Sequence, residues 1–131
     1  MLPMSSYLLI AVGSALGGVA RYWCSSLIAE RVGETFPWGT WTVNVAGSFL
    51  IGVLAGFAAP EGRIYFSPEL RQFLMIGVLG GFTTFSSFSV QTLMLIRDGD
   101  WLAAIANVLL SVAACLLAVW AGYALSEAVV R

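Results

Sequence analysis

The sequence contains no histidine and no lysine, and charged residues of any kind make up only 10% of its 131 residues. None of the seven acidic side chains lies in the central part of a long apolar stretch. General acids, general bases and the common metal ligands are therefore missing from the apolar regions. We expect neither enzyme activity nor a nucleic-acid partner.

Cysteine is almost as scarce, because Cys24 and Cys115 are the only two. Both lie inside apolar stretches, with no CxxC spacing and no histidine partner. Such a pair is neither a metal site nor a disulfide framework. We expect the two thiols to pack as ordinary interior side chains.

Apolar residues are abundant, at 60% of the chain with a mean hydropathy of +0.91, which is typical of an integral membrane protein. An apolar helix needs roughly 20 residues to cross about 30 Å of hydrocarbon. Stretches of about this length occupy 4–29, 41–59, 73–96 and 101–126. We predict an all-α, multi-pass protein of the plasma (inner) membrane, with a single four-span domain over 1–131. The first span is expected to remain in the mature protein, because no Lys or Arg precedes Tyr7.

Residues 80–89, with the sequence GGFTTFSSFS, interrupt the third apolar stretch with polar side chains. Two adjacent glycines followed by β-branched threonines weaken helix propagation. Lipid cannot satisfy loosened backbone groups, so these groups must face protein or a watery passage. We predict a broken third helix near residues 80–84, and such a break indicates an ion or substrate path.

The six arginines give almost no indication of orientation, although Lys and Arg in short loops normally set it. With both termini on one side, that side holds Arg63, Arg71 and Arg131, and the other holds Arg31 and Arg97, with Arg21 nearer this end. With so small a difference in positive charge between the two sides, the chain can insert in both directions. Two copies can then meet antiparallel around a twofold axis in the membrane plane. The alternative is one orientation, fixed by other factors.

Three GxxxG pairs predict close helix packing: Gly13 with Gly17, Gly52 with Gly56, and Gly77 with Gly81.

Polar residues in the first two spans each allow two interpretations, because a polar group in lipid needs a partner. Arg21 either snorkels to the interface or holds a positive field at a pore mouth. Thr40 and Asn44 are four residues apart and share a helix face. The Asn44 amide either donates hydrogen bonds to an anion or joins two helices.

The last two spans carry a second polar set. Asn107, Ser111 and Cys115 recur every four residues and form one stripe, which is either a polar track for an ion or a helix contact. Phe85 and Phe88 lie within about 60° of one another if the helix resumes after the glycines. Their positive ring edges suit an anion, although such rings usually only pack.

Taken together, the GGFTTFSSFS run, the upstream TWTVN segment and Arg21 resemble the Fluc (CrcB) fluoride channels over nearly the whole chain. The resemblance implies an antiparallel, dual-topology homodimer with two pores that export fluoride passively from the cytoplasm. It also implies a structural sodium ion at the dimer centre. Gly80 and Thr83 match the backbone carbonyl ligands of that ion.

The same resemblance assigns pore roles to individual residues. Phe85 and Phe88 match the pore-lining phenylalanines, and Asn44 matches the asparagine that donates to fluoride. Ser111 matches a serine of the polar track, and Arg21 matches the vestibule arginine. Hydroxyls at Thr40, Thr84 and Ser87 are further candidates.

The chain departs from its relatives at three positions: Asn107 where some carry tyrosine, Cys115 where a serine occurs, and Gln91 where glutamate is frequent. Because Gln91 does not titrate, we expect no proton-coupled cycle.

Two other functional classes stay open, a dual-topology multidrug exporter and a scaffold subunit. The exporter needs a carboxylate embedded in the membrane, and a scaffold gives no reason for a polar helix break.

Overall fold

The computed structural model describes residues 3–60 and 64–130, and every regular element in these ranges is a helix. Arg63 and Arg131, which entered the charge comparison, lie outside the described residues. The elements are α1 (Met4–Val32), α2 (Trp38–Phe57), α3 (Pro68–Arg71), a π-helical segment (Gln72–Leu79), α4 (Gly80–Phe82), α5 (Phe85–Arg97) and α6 (Trp101–Val130).

Four of the helical runs are long and apolar enough to cross a membrane. They are Met4–Val32, Trp38–Phe57, Pro68–Arg97 and Trp101–Val130. This confirms the prediction of an all-helical, multi-pass membrane protein. The third run begins earlier than its apolar residues indicate, because Ser67 caps it and accepts a hydrogen bond from the Leu70 amide at 3.2 Å.

The third run is interrupted at Thr83 and Thr84, whose backbones are extended at φ −93°, ψ 156° and φ −152°, ψ 112°. The predicted break is present, but Gly80 and Gly81 are both helical. The break falls on the threonines because the Thr84 hydroxyl accepts a hydrogen bond from the Ser87 amide at 3.1 Å and so starts α5. Gly81 serves a different purpose, which is close packing, because a Cβ there would lie 2.5 Å from the Ser14 carbonyl oxygen of α1.

Glycine lets α1 approach the helix that precedes the break. A Cβ on Gly13 would lie 2.6 Å from the Phe73 carbonyl oxygen and 2.9 Å from the Gly77 Cα. One turn further along α1, a Cβ on Gly17 would overlap the Val78 carbonyl oxygen. Backbones this close gain van der Waals contact that larger residues would prevent.

The second close pairing joins α2 to α6, and it is the most extensive helix contact in the fold. A Cβ on Gly52 would overlap the Val119 carbonyl oxygen, and one on Gly122 would overlap the Phe49 carbonyl oxygen. By contrast, α5 makes much smaller contact with α6 and with α2. The break and the helix after it therefore lie beside two tightly packed pairs.

Gly17→Ala should destabilise the fold by about 1 to 3 kcal/mol, because the added methyl group overlaps backbone that cannot move aside cheaply. Gly18→Ala is the matched control, since nothing lies within 4 Å of a Cβ built there. Thermal unfolding in detergent, followed by tryptophan fluorescence, would measure both. Equal melting temperatures for the two variants would contradict this account of the packing.

Candidate functional site

Two open cavities meet at the helix break. The small cavity has a volume of about 410 Å³ and lies beside α2, the break and α6. The wide cavity has a volume of about 820 Å³ and lies among α1, the start of α2 and α5. Thr84 lines both cavities and is itself buried, so it stands at their junction.

Asn44 is hydrogen-bonded to the backbone of Thr84 on both sides of its amide. Its Oδ1 accepts from the Thr84 amide at 2.7 Å, and its Nδ2 donates to the Thr84 carbonyl at 3.0 Å. The side chain thus replaces the helical partners that an extended residue loses. Nδ2 carries a second N–H group, and Asn44 also lines the small cavity.

The same rearrangement changes two carbonyl groups. In a continuous helix, the Gly80 carbonyl would accept from the Thr84 amide and the Thr83 carbonyl from the Ser87 amide. The Thr84 amide donates to Asn44 instead, and the Ser87 amide donates to the Thr84 hydroxyl. Gly80 and Thr83 therefore present main-chain oxygens at the break without their usual helical donors.

Arg21 reaches the break from α1. Its Nε donates to the Gly81 carbonyl at 3.1 Å, across 60 positions of sequence. A cation at the end of a helical run also offsets the partial negative charge of the last carbonyls. Arg21 lines the wide cavity as well, so the same side chain holds the break and places a positive charge in that cavity.

The two phenylalanines lie side by side at the start of α5. Their ring centroids are 5.2 Å apart, with 47° between the ring planes, and both line the small cavity. Phe88 is buried at 9% exposure, whereas Phe85 is 75% exposed. Of the two rings, therefore, only Phe88 has a packed environment within this chain.

The polar stripe of α6, which consists of Asn107, Ser111 and Cys115, is divided between a cavity wall and the packed interior. Ser111 and Cys115 line the small cavity, whereas Asn107 lines neither cavity and is 2% exposed. Asn107 donates to the Thr92 hydroxyl at 2.9 Å, and the Ser111 hydroxyl donates to Asn107 Oδ1 at 3.3 Å. The longer bond is the weaker one, so the Ser111 hydroxyl can turn toward the cavity at small cost.

The wide cavity contains Thr40, which is buried, so Thr40 and Asn44 occupy different cavities despite their spacing on α2. Gln91 also lines it, and the buried Oε1 of Gln91 has no hydrogen-bond partner among the described residues. Exposed Asp98 and Asp100 contribute negative charge to the same cavity. Together with Arg21, they give the wide cavity charges of both signs.

Most of the residues chosen from the sequence come together at the break. Those in the small cavity are Asn44, Gly80, Thr83, Thr84, Phe85, Phe88 and Ser111. The sequence leaves open that Asn44 and the Asn107 stripe join helices, but it does not identify Thr84 and Thr92 as their partners, because each bond depends on how two helices pack. The capping of α5 by Thr84 had a local signal, since threonine before a helical stretch favours an N-cap.

The fold and site define a small multi-pass membrane protein with two cavities that meet at a broken helix. The chain belongs to the CrcB family, because the family model described as CrcB-like protein, Camphor Resistance (CrcB), matches residues 8–123. This confirms the family resemblance seen in the sequence.

Several curated relatives are similar over almost their whole length, and each of the following is named a fluoride-specific ion channel. The relative from Opitutus terrae is 60% identical over 120 residues, covering 92% of this chain and 91% of the relative. The one from Paramagnetospirillum magneticum is 58% identical, covering 92% and 94%. The one from Rhodospirillum rubrum is 52% identical, covering 90% and 92%.

Asn44→Leu should loosen the break, because two buried backbone groups of Thr84 lose their partners at about 1 to 3 kcal/mol each. We expect hydrogen exchange at the Thr84 amide to accelerate by at least about tenfold. Ser48→Ala, in the same cavity wall on α2, is the matched control and should leave that rate unchanged. An unchanged rate in Asn44→Leu would contradict the proposed bracing of the break.

Proposed function

We propose that this protein is a passive, fluoride-selective ion channel of the plasma membrane. The observation that carries the proposal is the small cavity, which has Asn44, Thr84, Ser111 and two phenylalanine rings on its wall in a chain of the CrcB family. The names of close relatives support the choice of ion.

The chemistry of the cavity suits a small anion. Fluoride is strongly hydrated, so a path for it must replace water with close donors and still release the ion. The second N–H of Asn44 and the hydroxyl of Ser111 are such donors, and the Thr84 hydroxyl becomes one if it turns away from the Ser87 hydroxyl, to which it donates at 3.1 Å. The edges of Phe85 and Phe88 add weak positive potential without a fixed charge that would trap the ion.

Neither competing class accounts for this cavity as well. Proton-coupled drug export needs a carboxylate within the membrane, whereas Glu30, Glu69, Asp98 and Glu127 lie near the ends of the described helices. A scaffold subunit has no need for a polar cavity at a helix break. Passive conduction needs only the donors and the ring edges.

We further propose an antiparallel, dual-topology homodimer with two pores. The near balance of arginines supports insertion in both directions. Phe85 is exposed in the single chain, and the small cavity beside it is open, so a second copy packed there would cover the ring and enclose the path. Twofold symmetry then produces a second, equivalent pore.

A structural sodium ion at the dimer centre is the third part of the proposal. Oxygen atoms are the ligands that small hard cations prefer, and the Gly80 and Thr83 carbonyls have lost their helical donors. Gly80 is exposed, and a Cβ there would approach only the Met75 carbonyl, at 3.8 Å. The residues therefore fit a cation that joins two copies and offsets nearby negative charge.

Passive conduction also defines the direction of transport. Hydrogen fluoride that enters a cell from acidic surroundings dissociates inside, and a negative membrane potential drives the anion outward. The channel would thus export fluoride from the cytoplasm and confer fluoride resistance without an energy source of its own.

Efflux from liposomes tests the proposed function directly. Vesicles containing the purified protein would be loaded with potassium fluoride or potassium chloride and treated with valinomycin, with an anion-selective electrode outside. We expect fast loss of fluoride and none of chloride. No fluoride loss from folded protein, or equal loss of both anions, would overturn a fluoride-selective channel.

Phe88→Ile and Phe85→Ile should each slow fluoride efflux by about fivefold or more, because the ring edges disappear while apolar bulk remains. The dimer should persist on size-exclusion chromatography. Phe57→Ile, at the end of α2 and outside both cavities, is the control for losing a phenylalanine. Wild-type efflux from the two pore variants would remove the ring-edge role.

Gly80→Val should weaken the dimer, because a branched side chain would project from an open position where the second copy and the sodium ion are proposed. Gly18→Val is the control, since it also adds bulk to a helix at an open position. Molecular mass measured by light scattering in detergent would compare the two. A Gly80→Val protein with the full dimer mass would count against the central ion site.

A further inference from the structure

A chain of hydrogen bonds crosses from α6 to the backbone of α5. Ser111 donates to Asn107, Asn107 Nδ2 donates to the Thr92 hydroxyl at 2.9 Å, and that hydroxyl donates to the Phe88 carbonyl at 2.8 Å. We call the part from Asn107 through Thr92 to Phe88 the α5–α6 relay. It ends at a residue whose ring lines the small cavity.

Asn107 is nearly inaccessible and lies on the wall of neither cavity. A buried amide without partners is costly, yet both polar atoms of this one are bonded. Asn107 therefore has a role in the packed interior, and it does not contact an ion in either cavity. Its hydrogen-bond partner indicates that role, because Thr92 in turn donates to the Phe88 carbonyl.

Apart from the relay, α5 makes few contacts with the other helices of the chain. It begins directly after the extended residues, and its contacts with α6 and α2 are small. Phe88 is the only buried residue of α5. A directional hydrogen bond from a rigidly packed helix therefore has a large share in setting the position of this ring.

We propose that Asn107 is a positioning residue that fixes the Phe88 ring in the small cavity by acting through Thr92. This rests on the proposed function, because the position of the ring matters for conduction only if the small cavity is the anion path. The relay couples α6, which is held firmly against α2, to the loosely attached helix after the break.

Two substitutions cut the relay at different links. Asn107→Leu removes the amide at similar volume, and Thr92→Val removes the hydroxyl that receives it. Each should lower the fluoride efflux rate by about fivefold. The double variant should be no slower than either single variant, because both act on one relay. Ser126→Ala is the control, since it removes a buried α6 hydroxyl that bonds only its own helix.

A measurement that needs no conduction separates this inference from the proposed function. With 4-fluorophenylalanine at position 88, the ¹⁹F resonance should shift or broaden in Asn107→Leu and in Thr92→Val, and stay unchanged in Ser126→Ala. An unchanged resonance in both relay variants would overturn the positioning role, whether or not the protein conducts fluoride.

The two readouts together cover the remaining outcomes. If the wild type conducts, a shifted resonance with wild-type efflux would overturn the importance of the relay for conduction, as would multiplicative effects in the double variant. If the wild type conducts no fluoride, the proposed function fails, and the resonance still reports whether Asn107 positions Phe88. Thr92→Val is nearly isosteric, so it keeps the test informative if Asn107→Leu does not fold.

Discussion

The structure depends on the pair of hydrogen bonds between Asn44 and the backbone of Thr84. An extended residue inside a membrane-spanning helix leaves amide and carbonyl groups that lipid cannot satisfy. One side-chain amide from α2 satisfies both groups of Thr84. The break can therefore persist in an apolar setting, and α5 can start after it with the Phe85 and Phe88 rings beside the small cavity.

Close helix packing supplies the rigidity that this arrangement needs. Glycines let α1 contact the helix before the break and let α2 contact α6 backbone to backbone. Asn44 extends from one member of the second pair, and Asn107 extends from the other. Asn44 bonds the third span at Thr84, just before the first turn of α5, and Asn107 bonds it at Thr92, after that turn. The weakly attached α5 is thus held by the hydrogen bond from Asn107 to Thr92 together with the packing of Phe88.

Charge is used sparingly and at particular places. Arg21 contacts the Gly81 carbonyl next to the break, and the acidic groups of the wide cavity lie on exposed residues. Among the described residues, Cys115 is the one ionisable group on the wall of the small cavity, so the electrostatics of this wall come from dipoles and ring edges. In the proposed channel, a small anion would be bound through many weak interactions, none of them strong enough to prevent release.

The sequence alone determined that the chain has four stretches long and apolar enough to cross a membrane, because the length and hydropathy of a stretch are local properties. It also determined that the third helix breaks and which residues carry the family pattern. The tertiary structure decided that Gly80 and Gly81 stay helical, because the extended backbone falls on Thr83 and Thr84 and Gly81 packs against α1. It also decided that Thr40 and Asn44 line different cavities and that Asn107 is hydrogen-bonded to Thr92. These relations depend on how separate helices pack against one another, so no local periodicity in the sequence encodes them.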